Sequence, residues 1–164
     1  MIQYKIINVN SKNDLIRLMD TVLDNLERKE FFHPFNANEI EDMFDSTKTI
    51  VYGAYDEDEL IGCACLFLEE DILDIKNIIN LNDEKIVKMG CFLVLKEYRN
   101  KGVIKELESR LISIAKHNGY NYIVITTHPD NIPSNKAIKD INAKLVKTTM
   151  LDGYLRNIYL LKMN

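Results

Sequence analysis

Apolar residues recur along this chain with two periods, one of about two and one of about 3.6, and their alternation predicts a mixed α/β fold. Ile2 to Val9 reads as an edge strand. Ser11 then opens an S-x-x-D capping pattern with Asp14, after which Leu15, Leu18, Met19, Val22 and Leu26 fall at helical spacing. A second helix is expected over Asn38 to Phe44, with Ile40, Met43 and Phe44 on its inner face. Thr49 to Tyr55 and Leu60 to Leu68 read as a hairpin whose turn, Asp56-Glu57-Asp58-Glu59, keeps its charges in water. Residues 69 to 84 carry acids, asparagines and isoleucines without a firm period and predict a loop with a short helix. Lys85 to Leu95 follows as a central apolar strand.

The same patterning continues to the C-terminus. Val103, Ile104, Leu107, Leu111 and Ile114 share one helical face, with Lys105, Glu106, Glu108 and Arg110 opposite, and Asn118-Gly119 ends the helix. Tyr120 to Thr127 is rich in β-branched and aromatic residues and predicts a buried strand. A helix after Asn131, with Pro133 in its first turn, leads to a closing hairpin of Lys144 to Met150 and Asn157 to Lys162 around Asp152-Gly153. No repeat or low-complexity linker interrupts this order, so one domain over residues 1–164 is expected.

The point at which strand turns to helix, FLVLKEYRNKGVIKEL from Phe92 to Leu107, carries the most chemistry. A helix start leaves backbone N–H groups without intrahelical partners and carries partial positive charge, so a pyrophosphate can dock there. Gly102 permits a turn and close backbone approach, while Arg99 and Lys101 add positive charge at the rim.

Composition narrows the field without choosing within it. With 164 residues, 46% of them hydrophobic, the chain can bury a sizeable core. A formal charge of −4 and a pI near 5.4 argue against nonspecific binding to nucleic acid or to an anionic membrane, which needs a basic surface. No apolar run approaches the roughly 20 residues of a membrane span. The opening MIQYKIINVNSKND lacks the apolar core of a secretory signal, so a cytoplasmic location is the expectation. Cys63 and Cys65, two apart, should share one strand face, and the three histidines form no ligand set, so no metal is expected. Cys91 lies on the central strand, where an acyl-cysteine is conceivable, although nothing in the sequence pairs it with a base.

The glycine turn resembles motif A of the GNAT-type N-acetyltransferase superfamily, in which R/Q-x-x-G-x-G/A follows the fourth strand. Here it reads Arg99-Asn100-Lys101-Gly102-Val103-Ile104, preceded by Val94 and Tyr98 at the family's spacing. Lys96 stands where the family usually has proline, and Ile104 replaces a small residue. About thirty residues on, Asn131-Ile132-Pro133-Ser134 resembles the N-x-x-S/A element of motif B. The likeness extends from about Thr49 to the C-terminus.

The resemblance implies an α/β (α+β) fold with a mixed, mostly antiparallel central sheet flanked by helices, in the order β-α-α-β-β-β-α-β-α-β-β. It also implies acetyl-CoA as cosubstrate, held by the backbone of Phe92, Leu93 and Val94, by the turn Arg99, Asn100, Lys101, Gly102, Val103 and Ile104, and by Asn131 and Ser134 along the pantetheine arm. Asn131 can equally be a plain helix cap. The implied reaction is acetyl transfer to a primary amine of a small molecule or peptide by direct attack in a ternary complex. Many family members place a tyrosine acid seven residues after the motif B asparagine, but Ile138 stands there, leaving His128 and Tyr154 as candidate proton carriers. Phe31 and Phe32, between the first two helices, and Glu70, beside Glu69 and Asp71, are candidates for the acceptor site. The missing tyrosine and Ile104 also suit an alternative, a non-catalytic acyl-CoA-binding regulatory domain, and a homodimer stays open.

Overall fold

The computed structural model describes residues 1–68 and 72–164. Its strands are β1 (Ile2–Ile6), β2 (Thr49–Asp56), β3 (Glu59–Phe67), β4 (Ile86–Val94), β5 (Tyr122–Thr127), β6 (Lys144–Leu151) and β7 (Tyr154–Lys162). Its α-helices are α1 (Lys12–Asp24), α2 (Ala37–Met43), α3 (Leu73–Ile78), α4 (Val103–His117) and α5 (Ile132–Asp140). The strands form one sheet in the order β1-β2-β3-β4-β5-β7-β6, antiparallel throughout except for the parallel pair β4 and β5.

Local chemistry accounts for where the elements differ from the pattern. The first strand stops at Ile6 because the Asn8 side chain accepts the Asn10 N–H and starts a 3₁₀ turn over Val9–Ser11. Ser11 makes no capping bond; its hydroxyl accepts instead from the Tyr55 hydroxyl at 3.1 Å. The second helix is set by Asn36, which forms a capping box with Glu39. The aperiodic stretch contains α3, a fifth helix beyond the four of the expected order. Glu69, Glu70 and Asp71 lie outside the described residues.

Two helices cover the sheet. On one face, Leu107, Leu111 and Ala115 of α4 are fully buried with Ile61, Ala64, Val87, Met89, Ile123 and Ile125. On the other, Leu15, Leu18, Met19 and Val22 of α1 pack with Val51, Cys63, Cys65 and Leu93. Each fully buried leucine contributes about 2 kcal/mol, so both faces are firmly pinned. This clamping fixes the sheet's register at its centre, where the strands part.

Candidate active site

Parallel pairing between β4 and β5 covers only Ile86 with Tyr122, Val87 with Ile123 and Lys88 with Val124. Beyond that point β4 stays with β3 and β5 with β7, so among the described residues β4 has no ladder partner on its β5 edge. A bulge marks the parting: Cys63 pairs with Leu93 and Cys65 with Gly90, leaving Cys91 and Phe92 opposite the single residue Ala64. Cys91 takes a left-handed φ of 54° there, a strained choice for a residue with a Cβ.

A cavity of about 760 Å³ occupies the gap. Gly90, Cys91 and Phe92 line it from β4, Thr126 and Thr127 from β5, and Asn131 and Ser134 from the start of α5. Its far wall is made by Phe31, Phe32, His33 and Phe35 from the α1–α2 connection, Asp74, Ile75 and Ile78 from α3, and Asp152, Tyr154 and Arg156 from the last hairpin.

The glycine turn sits at the start of α4. Asn100 (φ 61°) and Gly102 (φ 78°) are both left-handed, and Gly102 is the N-cap, so the first-turn N–H groups receive no side-chain cap from it. A Cβ built on Gly102 would meet nothing within 4 Å. Arg99, Asn100 and Lys101 are exposed, and neither cation joins an ion pair among the described residues. Val103 is buried and Ile104 half-buried against the core, so both offer this turn backbone rather than side chain. The Tyr98 hydroxyl donates to Asp56 at 2.6 Å and is pushed up to about 12 by that carboxylate, fastening the turn to the β2–β3 hairpin.

The opening of α5 is held from within. Asn131 accepts the Ser134 N–H at 3.4 Å as a helix cap, and the Thr127 hydroxyl donates to that of Ser134 at 2.9 Å. Beneath them, buried Asn135 donates to the carbonyls of His128, Pro129 and Asn131 and accepts from Asn157 at 2.9 Å and Tyr159 at 2.6 Å. These bonds lock the loop to β7.

Opposite, Arg28 bridges Glu30 at 2.6 Å and Asp130 at 2.9 Å. It holds the Asp130 carboxyl below its ordinary range; the Glu30 carboxyl is lowered by a backbone hydrogen bond and then by Arg28. Phe31 packs on His128 with centroids 5.3 Å apart, and His33 stacks on Tyr154 at 4.8 Å. Phe35 links Phe32 to Phe67, giving the wall a continuous apolar strip. Arg156, 7% exposed, lies 5.0 Å over the Tyr154 ring and donates through one nitrogen to the carbonyls of Glu30 and Leu155.

Among the cysteines, the Cys63 thiol donates to the Cys91 backbone carbonyl at 3.8 Å. The neighbouring Cys91 thiol and then burial raise Cys63, burial and then Cys91 raise Cys65, and the two neighbouring thiols draw Cys91 down to about 5.

Six of the residues put forward from sequence therefore share one cavity: Phe31, Phe32, Phe92, Asn131, Ser134 and Tyr154. Leu93 is buried under α1, and Val94 and Arg99 border a separate hollow of about 70 Å³. His128 does not line the cavity: it is buried behind Phe31, with its Nδ1 accepting the Asp130 N–H at 3.0 Å. Residues the pattern left out include His33, Phe67, Lys88 and Arg156. Lys88 carried a visible signal, a cation inside the apolar strand read over Lys85 to Leu95, whereas Arg156 fell just before the strand read over Asn157 to Lys162.

The sequence model of the acetyltransferase (GNAT) family matches residues 21–140 of the chain. No curated protein matches it. Solved structures match its fold closely at low identity. A probable acetyltransferase from Staphylococcus epidermidis is 16% identical with a TM-score of 0.77, covering 100% of both chains. NAA60 of Arabidopsis thaliana, solved with acetyl-CoA, is 17% identical with a TM-score of 0.75 over 98% of this chain and 96% of that one. An N-acetyltransferase from Staphylococcus aureus is 18% identical with a TM-score of 0.74 over 99% and 98%.

Proposed function

We propose that this chain, which belongs to the acetyltransferase (GNAT) family, is a single domain over residues 1–164 that acetylates a primary amine of a small molecule or peptide from acetyl-CoA by direct attack. The observation that carries this reading is the parting of β4 from β5 at the Cys91–Phe92 bulge, with a cavity open to both strands. The residues fit coenzyme A: the uncapped start of α4 behind Gly102 has open space for a pyrophosphate, with exposed Arg99 and Lys101 beside it. When bound, acetyl-CoA supplies an acyl thioester already activated for transfer.

The chain's own part is positioning and charge. The unpaired edge of β4 from Met89 to Val94 offers backbone groups to an extended ligand, as a further strand would, and a backbone N–H near Phe92 supports charge developing on a carbonyl oxygen. Asn131 and Ser134 border the same channel, so holding both reactants there removes much of the entropic barrier. Tyr154 faces the cavity and is assigned to protonate the departing thiolate. His128 is engaged in its loop, so His33, stacked on Tyr154, is assigned the amine's proton.

Cys91 motivates a second route, transfer of the acetyl group to its sulfur, because it lines the cavity with a lowered thiol. Thiol release from acetyl-CoA, measured over a panel of amines and peptides, separates these readings. Direct attack expects amine-dependent release that Cys91→Ala largely retains, and a kinetically competent acetyl-Cys91 would overturn it. Coenzyme A binding with no release on any amine would favour the regulatory alternative.

A further inference from the structure

Arg156 is the most costly charge in the cavity wall. Its residue is 7% exposed, burial draws its guanidinium below the ordinary arginine range, and it forms no ion pair among the described residues. A cation taken out of water without a counter-charge forfeits several kcal/mol of solvation. One nitrogen, Nη1, is occupied by the carbonyls of Glu30 and Leu155, both at 2.9 Å. Nε and Nη2 donate to no described residue, and no polar side-chain atom among the described residues is both fully buried and unpartnered. The Nε–Nη2 edge therefore keeps contact with solvent, and Arg156 is among the residues that line the cavity.

That edge presents two parallel N–H groups, the geometry that grips a carboxylate in two hydrogen bonds. The two carbonyl bonds and the Tyr154 ring hold the guanidinium in place, so little side-chain freedom is lost when an anion arrives. The anion's position is on the acceptor side, because Arg156 is fastened to the α1–α2 connection through Glu30, away from the glycine turn of α4. The acids that share the cavity wall do not cancel the charge: Asp74 and Asp152 are exposed, the Glu39 carboxylate is engaged by the Asn36 N–H in the capping box, and none of the three forms an ion pair with Arg156. The strip of Phe32, Phe35 and Phe67 offers an apolar surface beside the charged point.

We infer that Arg156 binds the carboxylate of the acceptor, which is accordingly a free amino acid, or a close analogue bearing amine and carboxylate together, with an apolar side chain. A compact zwitterion suits a cavity lined by both Arg156 and the β4 bulge, since amine and carboxylate then lie within one small molecule. This assignment rests on the acetyltransferase reading above and names the substrate class of the same cavity.

The test compares leucine, phenylalanine and methionine, each beside its amide and its decarboxylated amine, in acetyl-CoA-dependent thiol release. For wild type, kcat/KM for the acid should exceed that for the amide by roughly 30-fold or more, the usual penalty for leaving a buried cation unpaired. Arg156→Gln should collapse that ratio toward one, and Arg156→Lys should restore part of it; melting temperatures identify variants that fail to fold. Equal use of acid and amide by wild type, a fall in both that preserves the ratio, or preference for peptides lacking a nearby carboxylate would overturn the inference. Calorimetry on coenzyme A-loaded protein separates the two layers. Amino-acid binding that wild type shows and Arg156→Lys weakens, with no thiol release, would sustain the carboxylate site and sink the acetyltransferase reading; no binding and no release would sink both.

Discussion

Replacing Gly102 with alanine separates the cost of the turn from its use. Its φ of 78° is left-handed and a new Cβ would meet nothing within 4 Å, so the folded protein bears no clash, only backbone strain of about 1 kcal/mol. The added methyl, however, stands at the cap of α4, where an anion must come within hydrogen-bonding distance of first-turn N–H groups. Losing one charge-assisted bond there costs about 1.5–3 kcal/mol, so coenzyme A affinity should fall about tenfold or more. Gly119→Ala is the matched control, with the same φ of 78° at the other end of α4 and only the Lys85 Nζ at 3.9 Å. Urea denaturation should show similar stability losses for the two variants, and calorimetry should show weakened coenzyme A binding for Gly102→Ala alone. Equal affinities in the two folded variants would remove the start of α4 from the cofactor site.

Arg99→Ala should weaken coenzyme A more than a truncated pantetheine thioester lacking the phosphates, since an exposed guanidinium at the turn acts on charge; equal losses by calorimetry would make its role structural. Asn135→Ala removes five hydrogen-bond contacts, three of them buried, joining the 128–131 loop to Asn157 and Tyr159, and should lower unfolding free energy by about 3 kcal/mol; a loss under about 1 kcal/mol in urea titration would refute the locking role. Glu108, expected on the polar face of α4, is instead buried, and burial raises its carboxyl to about 7, so the native state holds a proton that the unfolded chain releases from about pH 4.5 upward. Stability from this group is present at low pH and lost as pH rises through 7. Glu108→Gln should therefore stabilise the protein by on the order of 1–3 kcal/mol at pH 8 and little at pH 5, and an equal effect at both would refute the assignment.

Elements whose residues satisfy a local rule were legible from the chain alone. The helical face of Val103, Leu107 and Leu111, the glycine that ends α4, the β2–β3 hairpin and the asparagine that opens α5 each follow from spacing or capping within a few residues. The glycine turn at Gly102 belongs to the same class, because a helix start carries its own donors wherever it is placed. The short helix α3 and the early end of β1 were less legible: six residues give too little periodicity, and Asn8 competes with the strand through its own side chain.

What the tertiary structure decided was which side chains meet. The parting of β4 and β5 depends on register with β3 and β7, and the Cys91–Phe92 bulge appears only when Ala64 is found opposite two residues. His128 was turned into a loop support by Asp130 and Phe31, while His33 and Tyr154, 121 residues apart in sequence numbering, were stacked together. Arg156 acquired its meaning from burial and from the Glu30 carbonyl, 126 residues away along the chain. A capping or periodic signal is local because the backbone writes it within one turn, whereas burial and the absence of a counter-charge are properties of the whole packed interior.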